Sequence, residues 1–539
     1  MKRFVACVVV ALSVTSIAFA QPPAKEAPTA MLSVVVTDSH GKHIPSLTKD
    51  DFQLTVGGQP MAVARFSERG AGGQYAGEMR RIVVLFDATT ISPGARRQLV
   101  DSLHAFLART LRPGDLVAIL AGGGSLRPVT GWTSDMNEID NALRLVSAET
   151  APPPLADGQA AAEKRIREIA NDIQQAGRSN HTFYTFEALM DAARAYAAAG
   201  YRDAEQTLSV ISSAVSLFTP RTRNVLIVAG GGLPRTPGAA VFQYLETLRS
   251  SAQSGAMGSF LQKGAQASSP MGESSSYDLT PLFNTFGMRA WRRGVVFYAI
   301  APDISEDGGS QIDMQQAADR LAAFTNASGR YAGYHLLASE TGGIAFVGRS
   351  AADALDRIAS DLESFYTVGV HPIAPIGGKR DVAVKVKNGY SVRVTRGSAG
   401  AGTPADEMES RVIANHIMKP TGNNLGISLA AMPGEMEGEK RLVTVDVKIP
   451  IRKLKLVSDS GGLSGSFTVF IATGDSVGHS SNVTRQTKEI HWPADAIMRA
   501  GDKELTFRVN VVLQPGRSQI SVGVIDEQSH EKGFERVSV

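Results

Sequence analysis

At 539 residues the chain exceeds a single core, and ordinary domain sizes divide it into about three or four domains. Its 43% hydrophobic and 20% charged content is that of folded protein. Lys+Arg of 55 against Asp+Glu of 52 leaves no basic surplus of the kind that holds nucleic acid or an anionic membrane.

Residues 1–20 read as an export signal. Lys2 and Arg3 are followed by an apolar stretch without charge and by Ala18-Phe19-Ala20, a small-x-small cleavage site. The expected mature chain therefore starts at Gln21, in a secreted or periplasmic setting. Cys7 is the only cysteine and lies inside the apolar stretch, so the mature chain is expected to hold together by packing without disulfides. No later apolar stretch is long enough to span a bilayer.

Residues 30–70 read as a small antiparallel β unit. Leu32, Val34 and Val36 alternate with Ser33, Val35 and Thr37 as a half-exposed strand, and Asp38-Ser39-His40-Gly41 is turn chemistry. His40 and His43 lack the further ligands of a metal centre and read as solvated loop residues. After a glycine-rich linker, residues 82–86 form an unbroken apolar run that ends in Asp87. Such a run reads as a strand buried on both faces, and an acid at its C-terminal tip stands where open α/β sheets bind ligands. The competing reading is that Asp87 and Thr89 cap the next helix.

The spacing of Leu99, Leu103, Phe106 and Leu107 predicts a helix over 98–111, and Arg112-Pro113-Gly114-Asp115 stops it before a second buried strand at 116–120. Helices are expected over 135–146, 159–175, 185–199, 204–217, 314–325 and 351–364, and buried strands over 225–229, 294–300 and 365–370. Residues 252–276, rich in Ser, Gly and Gln, read as a mobile insertion. Strand and helix thus alternate over 80–370, which implies a doubly wound, mostly parallel sheet covered on both faces. Residues 371–396 read as a β hairpin turned by Asn388-Gly389 and joining the N-terminal β unit, and 397–410 as a linker. Residues 411–539 carry alternation at Val443, Val445 and Val447, at Phe467, Val469 and Ile471, and at Ile520, Val522 and Val524, which predicts a β-sandwich.

Several stretches together resemble the von Willebrand factor type A-like (VWFA-related) domain family of secreted acidobacterial proteins. They are Val35-Val36-Thr37-Asp38, residues 82–87, Leu111-Arg112-Pro113-Gly114-Asp115, Arg223-Asn224-Val225-Leu226-Ile227 with Gly230-Gly231, residues 295–300, and Thr341-Gly342-Gly343 with residues 355–370. The resemblance covers residues 30–396 and not the C-terminal sandwich. It implies a von Willebrand factor A-like α/β fold, a protein partner, and a metal-ion-dependent adhesion site for Mg²⁺ or Ca²⁺ in which Asp87 and Thr89 are ligands. The chain departs from that family's pattern. Ile91 stands where the second serine belongs, with Ser92 one residue late, and Ala229-Gly230 stands where an acid belongs. Thr182 or Thr185 would supply the loop threonine.

Catalytic signatures are missing. No Gly-x-Ser-x-Gly occurs, since Gly478-His479-Ser480-Ser481-Asn482 fails at its last position, and no His-Glu-x-x-His occurs. A Ser/His/Asp site assembled from distant residues is the enzymatic alternative. The expectation is a non-enzymatic interaction or adhesion module, with a structural or assembly factor of the cell envelope as the alternative. N-terminal sequencing of the protein from the envelope fraction is expected to begin at Gln21; a retained Met1 would mean a membrane anchor.

Overall fold

The structure is a computed structural model that describes residues 30–69, 79–87, 90–91, 93–123, 125–148, 164–166, 168, 186–219, 222–253, 269–301, 329–371, 381–396, 403–420, 422–459, 462–475, 480–493 and 503–539. Its centre is a six-stranded sheet. The strands are β5 (Arg80–Asp87), β6 (Leu116–Gly123), β7 (Ser125–Pro128), β8 (Arg223–Ala229), β9 (Val295–Ala301) and β10 (Ile344–Val347). Their order is β10-β9-β8-β5-β6-β7, parallel throughout except for the β6–β7 pair. The expected doubly wound sheet is what forms. Strand β5 is apolar on both sides because both sides are covered. Val83 and Leu85 meet helices α3 (Phe186–Val215), α6 (Thr280–Arg292) and α7 (Ala332–Thr341). Ile82, Val84 and Phe86 meet α1 (Pro93–Thr110), α2 (Met136–Ala148) and α8 (Ala351–Glu363).

Helix α3 is one continuous helix of 30 residues where two were expected. Gly200 lies inside it, but that costs only about 1 kcal/mol against alanine, and no proline or cap interrupts the alanine-rich flanks. At 1.5 Å per residue α3 is about 45 Å long, roughly twice a seven-residue strand. Only its second half, from Ala204 on, packs on the sheet. Its first half joins Ile166 and α4 (Ala239–Gln253) in a separate apolar cluster that includes Leu189, Ala193, Tyr196 and Phe242. Part of the insertion expected to be mobile over 252–276 belongs to this helical layer. Residues 270–274 form a short helix, α5, and Arg194 donates to both oxygens of Glu273 at 2.7 and 2.8 Å, while Tyr277 stacks on Phe242. The anchors are a carboxylate and a tyrosine, so a count of apolar residues misses them. Residues 254–268, most of the expected helix 159–175, and 314–325 lie outside the described residues.

The flanking strands interleave. β1 (Ala30–Thr37) lies between β11 (Phe365–Val370) and β13 (Ser391–Arg396), and β4 (Arg65–Arg69) pairs with β11. β12 (Val382–Val386) pairs with β2 (Phe52–Val56), which pairs with β3 (Gln59–Met61). This corrects three expectations. Residues 365–370 do not extend the parallel sheet, because Tyr366 and Val368 bury against Leu32, Val34 and Phe52. Residues 371–396 do not make a hairpin: β12 and β13 enter different sheets on either side of Gly389, whose φ of 67° turns the chain. β1 is not half-exposed, since a strand between two partners has Ser33, Val35 and Thr37 buried as well. His43 is no solvated loop residue; its ring stacks on Tyr366 at 5.5 Å.

The C-terminal part has two antiparallel sheets that share one apolar cluster. β14 (Ser428–Glu437), β15 (Lys440–Pro450) and β19 (Glu504–Leu513) form one. β16 (Val457–Asp459), β17 (Gly462–Gly474), β18 (Thr484–Trp492), β20 (Gln519–Asp526) and β21 (Lys532–Ser538) form the other. Val443, Val445 and Val447 meet Val469, Ile520 and Val522 between them. Residues 404–410, expected as linker, belong to helix α9 (Pro404–Ala414). Thr403 and Asp406 close a capping box around Pro404, and Met408 and Val412 bury against Phe470 and Phe534. Just beyond α9, burial pushes the His416 imidazole down to about 4, so it sits neutral at the junction.

Both β parts are held at the same edge of the parallel sheet, the one where its strands begin. Trp291, near the end of α6 and shortly before β9, packs into the N-terminal β unit. Ile417 and Met418 join the cluster that contains Phe218, ahead of β8. Ion pairs fix the attachment. Asp361, almost wholly buried, accepts two 2.6 Å hydrogen bonds from Arg393 of β13 and one from the Tyr298 hydroxyl at 3.1 Å, with Arg357 at 3.6 Å. Burial and the Asp361 charge push the Tyr298 phenol up, so it stays a donor. Arg393→Ala removes the bidentate partner and leaves a buried carboxylate with Arg357 as its remaining cation. The expected cost is about 3 kcal/mol, read as a lowered denaturation midpoint; a loss near zero would mean Asp361 is not what joins the parts.

Candidate functional site

The order of strands reverses between β5 and β8, so the crevice outside their C-terminal ends is the position at which such sheets bind ligands. Asp87 stands there, 6% exposed, as the last residue of β5. The chain turns at once: the amides of Thr90 and Ile91 bond back to the Asp87 carbonyl. That turn brings the Thr90 hydroxyl to the Asp87 carboxylate, donating at 2.7 Å to Oδ2. The same hydroxyl accepts from the Gly231 amide at 2.8 Å, and the Gly231 carbonyl accepts from Nε of Arg330 at 2.8 Å. Asp87, Thr90, Gly231 and Arg330 are thus one hydrogen-bonded chain across the switch point.

Glycines make this possible. A Cβ at Gly231 would overlap the Thr90 carbonyl, and one at Gly230 would overlap the Tyr334 hydroxyl. Gly232, at φ 148°, leaves room for the Arg330 stem, whose Cγ would lie 2.6 Å from an added Cβ. Tyr334 enters from α7 and is wholly buried. Its hydroxyl makes no hydrogen bond of normal geometry, and the Gly232 amide, the Asp87 carboxylate and the Arg330 guanidinium are near enough to act on it. Burial, and then the Asp87 charge, push the phenol well up, so it remains protonated.

The ion implied by the resemblance needs several oxygens around one point. Among the described residues no group of three or more His, Cys, Asp or Glu could hold one. Asp87 offers a single carboxylate. Ile91 is buried in the apolar cluster beneath α1. The position of the missing acid, Gly230, has its side-chain space taken by Tyr334. The described residues alone do not complete such a site. Thr89, Ser92, Thr182 and Thr185 lie outside the described residues. Among the described residues, a hydroxyl that meets Asp87 is that of Thr90. Arg330 and Tyr334 were not anticipated; the one signal for them was the Gly230-Gly231-Gly232 run, which announces a close approach without saying by what.

No family model matches the sequence, and no curated protein matches it. Solved structures similar to this chain include a von Willebrand factor type A protein from Catenulispora acidiphila, at 9% identity and a TM-score of 0.22 over 96% of this chain and 74% of that one. BatB from Bacteroides thetaiotaomicron is similar at 10% identity and a TM-score of 0.22 over 53% of this chain and 97% of that one. Proximal thread matrix protein 1 from the mussel byssus, with a zinc-occupied MIDAS motif, is similar at 9% identity and a TM-score of 0.20 over 57% of this chain and 48% of that one. At these TM-scores the likeness decides nothing about the site, whose reading rests on this chain's own residues.

The packing of Gly230 against Tyr334 makes a coupled prediction. Gly230→Ala is expected to destabilise by about 1–3 kcal/mol through overpacking. Tyr334→Phe alone removes a buried hydroxyl without a partner and is expected to change stability by less than about 1 kcal/mol. Combined, the second substitution should recover much of the loss caused by the first. Additive losses in denaturant melts of the three variants would show that the two residues do not share this space.

Proposed function

We propose that the chain is an exported, non-enzymatic protein-interaction module that presents the strand tips of its α/β unit to a protein partner. The observation that carries the reading is the attachment of both β parts at the opposite edge of the sheet. The tip with Asp87, Thr90 and Arg330 is the end of the sheet that neither of them covers among the described residues. The C-terminal pair of sheets then serves as a β-sandwich stalk. Export is supported by the composition of residues 1–20, and no described helix is long and apolar enough to cross a membrane. Among the described residues the tip shows no nucleophile paired with a free base. The Thr90 hydroxyl is committed to the Asp87 carboxylate on one side and to the Gly231 amide on the other.

A second reading, an assembly factor of the cell envelope, has one observation in its favour. Met432, Leu442 and Val512 expose 44%, 41% and 48% of their surface on the three-stranded C-terminal sheet. Apolar side chains gathered on a sheet face mark a contact surface.

Photo-crosslinking separates the two. A photoreactive residue at position 235, where Arg235 is half exposed beside the tip, is expected to trap a protein in the intact envelope. The same residue at position 109, at the far end of α1, should not. Trapping from position 512 with none from 235 would replace the first reading by the second.

A further inference from the structure

We propose, on the reading that the tip is the interaction face, that Arg330 is its receptor for a carboxylate group of the partner and that no metal ion takes part. Arg330 donates through Nε to the Gly231 carbonyl, and among the described residues that is its one hydrogen bond; Nη1 and Nη2 have no partner there, and no described carboxylate pairs with it. A guanidinium tied at Nε still offers the edge between its two terminal nitrogens. That edge matches the two oxygens of a carboxylate, which it binds through parallel hydrogen bonds.

The side chain is held in place before any ligand arrives. Its stem lies over Gly232, its Nε is bonded, and its residue is half buried at the mouth of the crevice. Less side-chain freedom is then lost on binding. The chain of hydrogen bonds from Asp87 through Thr90 and Gly231 ends on this group, so the tip has a buried negative end and an open positive one. Asp87 does not compete for the guanidinium, because its Oδ2 is engaged by Thr90 and it is 6% exposed.

Charge also selects among ligands. A divalent cation in the crevice would meet the positive charge of Arg330, and Asp87 is the carboxylate that the described residues bring there. A phosphate dianion would bring two negative charges to one guanidinium and be repelled by Asp87 twice as strongly as a carboxylate, which brings one. Aspartate or glutamate on a partner's surface is the chemistry that fits.

The test uses the full chain with arginine side-chain nitrogens labelled for NMR and glutarate as the probe. Glutarate is expected to shift the Arg330 signal saturably, and chelator should not alter the titration. Arg330→Gln, which also identifies the signal, should abolish binding, and Arg330→Lys should weaken it about tenfold, keeping charge but losing the paired geometry. Thermal melts matching the wild type show that both variants fold. No saturable shift of Arg330 would overturn the proposal while leaving tip-directed crosslinking to stand or fall by itself. Glutarate binding that disappears with chelator, returns with Mg²⁺ and is lost in Asp87→Ala would overturn it in favour of an ion.

Discussion

A buried carboxylate is costly to keep charged without partners, and Asp361 finds them on its own helix and in two other parts of the chain. The desolvation cost of an isolated buried ion is several kcal/mol even after relaxation. Arg393 comes from a strand that closes the N-terminal β unit, Tyr298 from the middle of β9, and Arg357 from the preceding turn of α8. Satisfying one charge therefore sets the helix, the parallel sheet and the enclosing strands against one another. Arg80 and Asp115 do the same within the sheet. Arg80 donates through Nε to Asp115 and through Nη2 to the Thr110 carbonyl, tying the start of β5 to the loop that feeds β6. These pairs contribute geometry more than stability, since well-packed apolar groups in their place would stabilise as much.

That geometry leaves one edge of the sheet to the partner. β5 is entered from β4 and α8 is left into β11, and both of those strands belong to one antiparallel sheet. Entry and exit at one edge put the switch point at the other. The helical layer built on the first half of α3 does not seal this edge: Arg330 stays half buried, and its terminal nitrogens have no partner among the described residues.

The parts legible in the sequence are those where one residue type decides the outcome. Runs such as Val225-Leu226-Ile227-Val228 can only be strands with both faces covered, and the sheet is built from them. Illegible were the choices made by partners far apart in sequence. Residues 365–370 read equally well as a parallel strand; only Leu32 and Val34, more than three hundred residues earlier, draw them into the antiparallel sheet. At the site, Asp87 was legible because an acid that closes an apolar run has to lie at the tip of the strand. Thr89 lies outside the described residues, and the turn after Asp87 delivers the Thr90 hydroxyl, which no spacing in the sequence announces. Arg330 and Tyr334 could not be found, because nothing local connects a glycine run at 230–232 to a helix start about one hundred residues later.

Described elements also end or begin at the free edge. β9 reaches it at Ala301, and the next described helix, α7, begins at Ala332 beside Gly231 and Leu233. α2 begins near the opposite edge, where Thr133 pairs with Val117, and runs away from it through 13 residues; the next long helix, α3, begins at Phe186. The sheet supplies rigidity, the β parts hold the other end, and the edge that neither of them covers among the described residues is the one that carries Arg330.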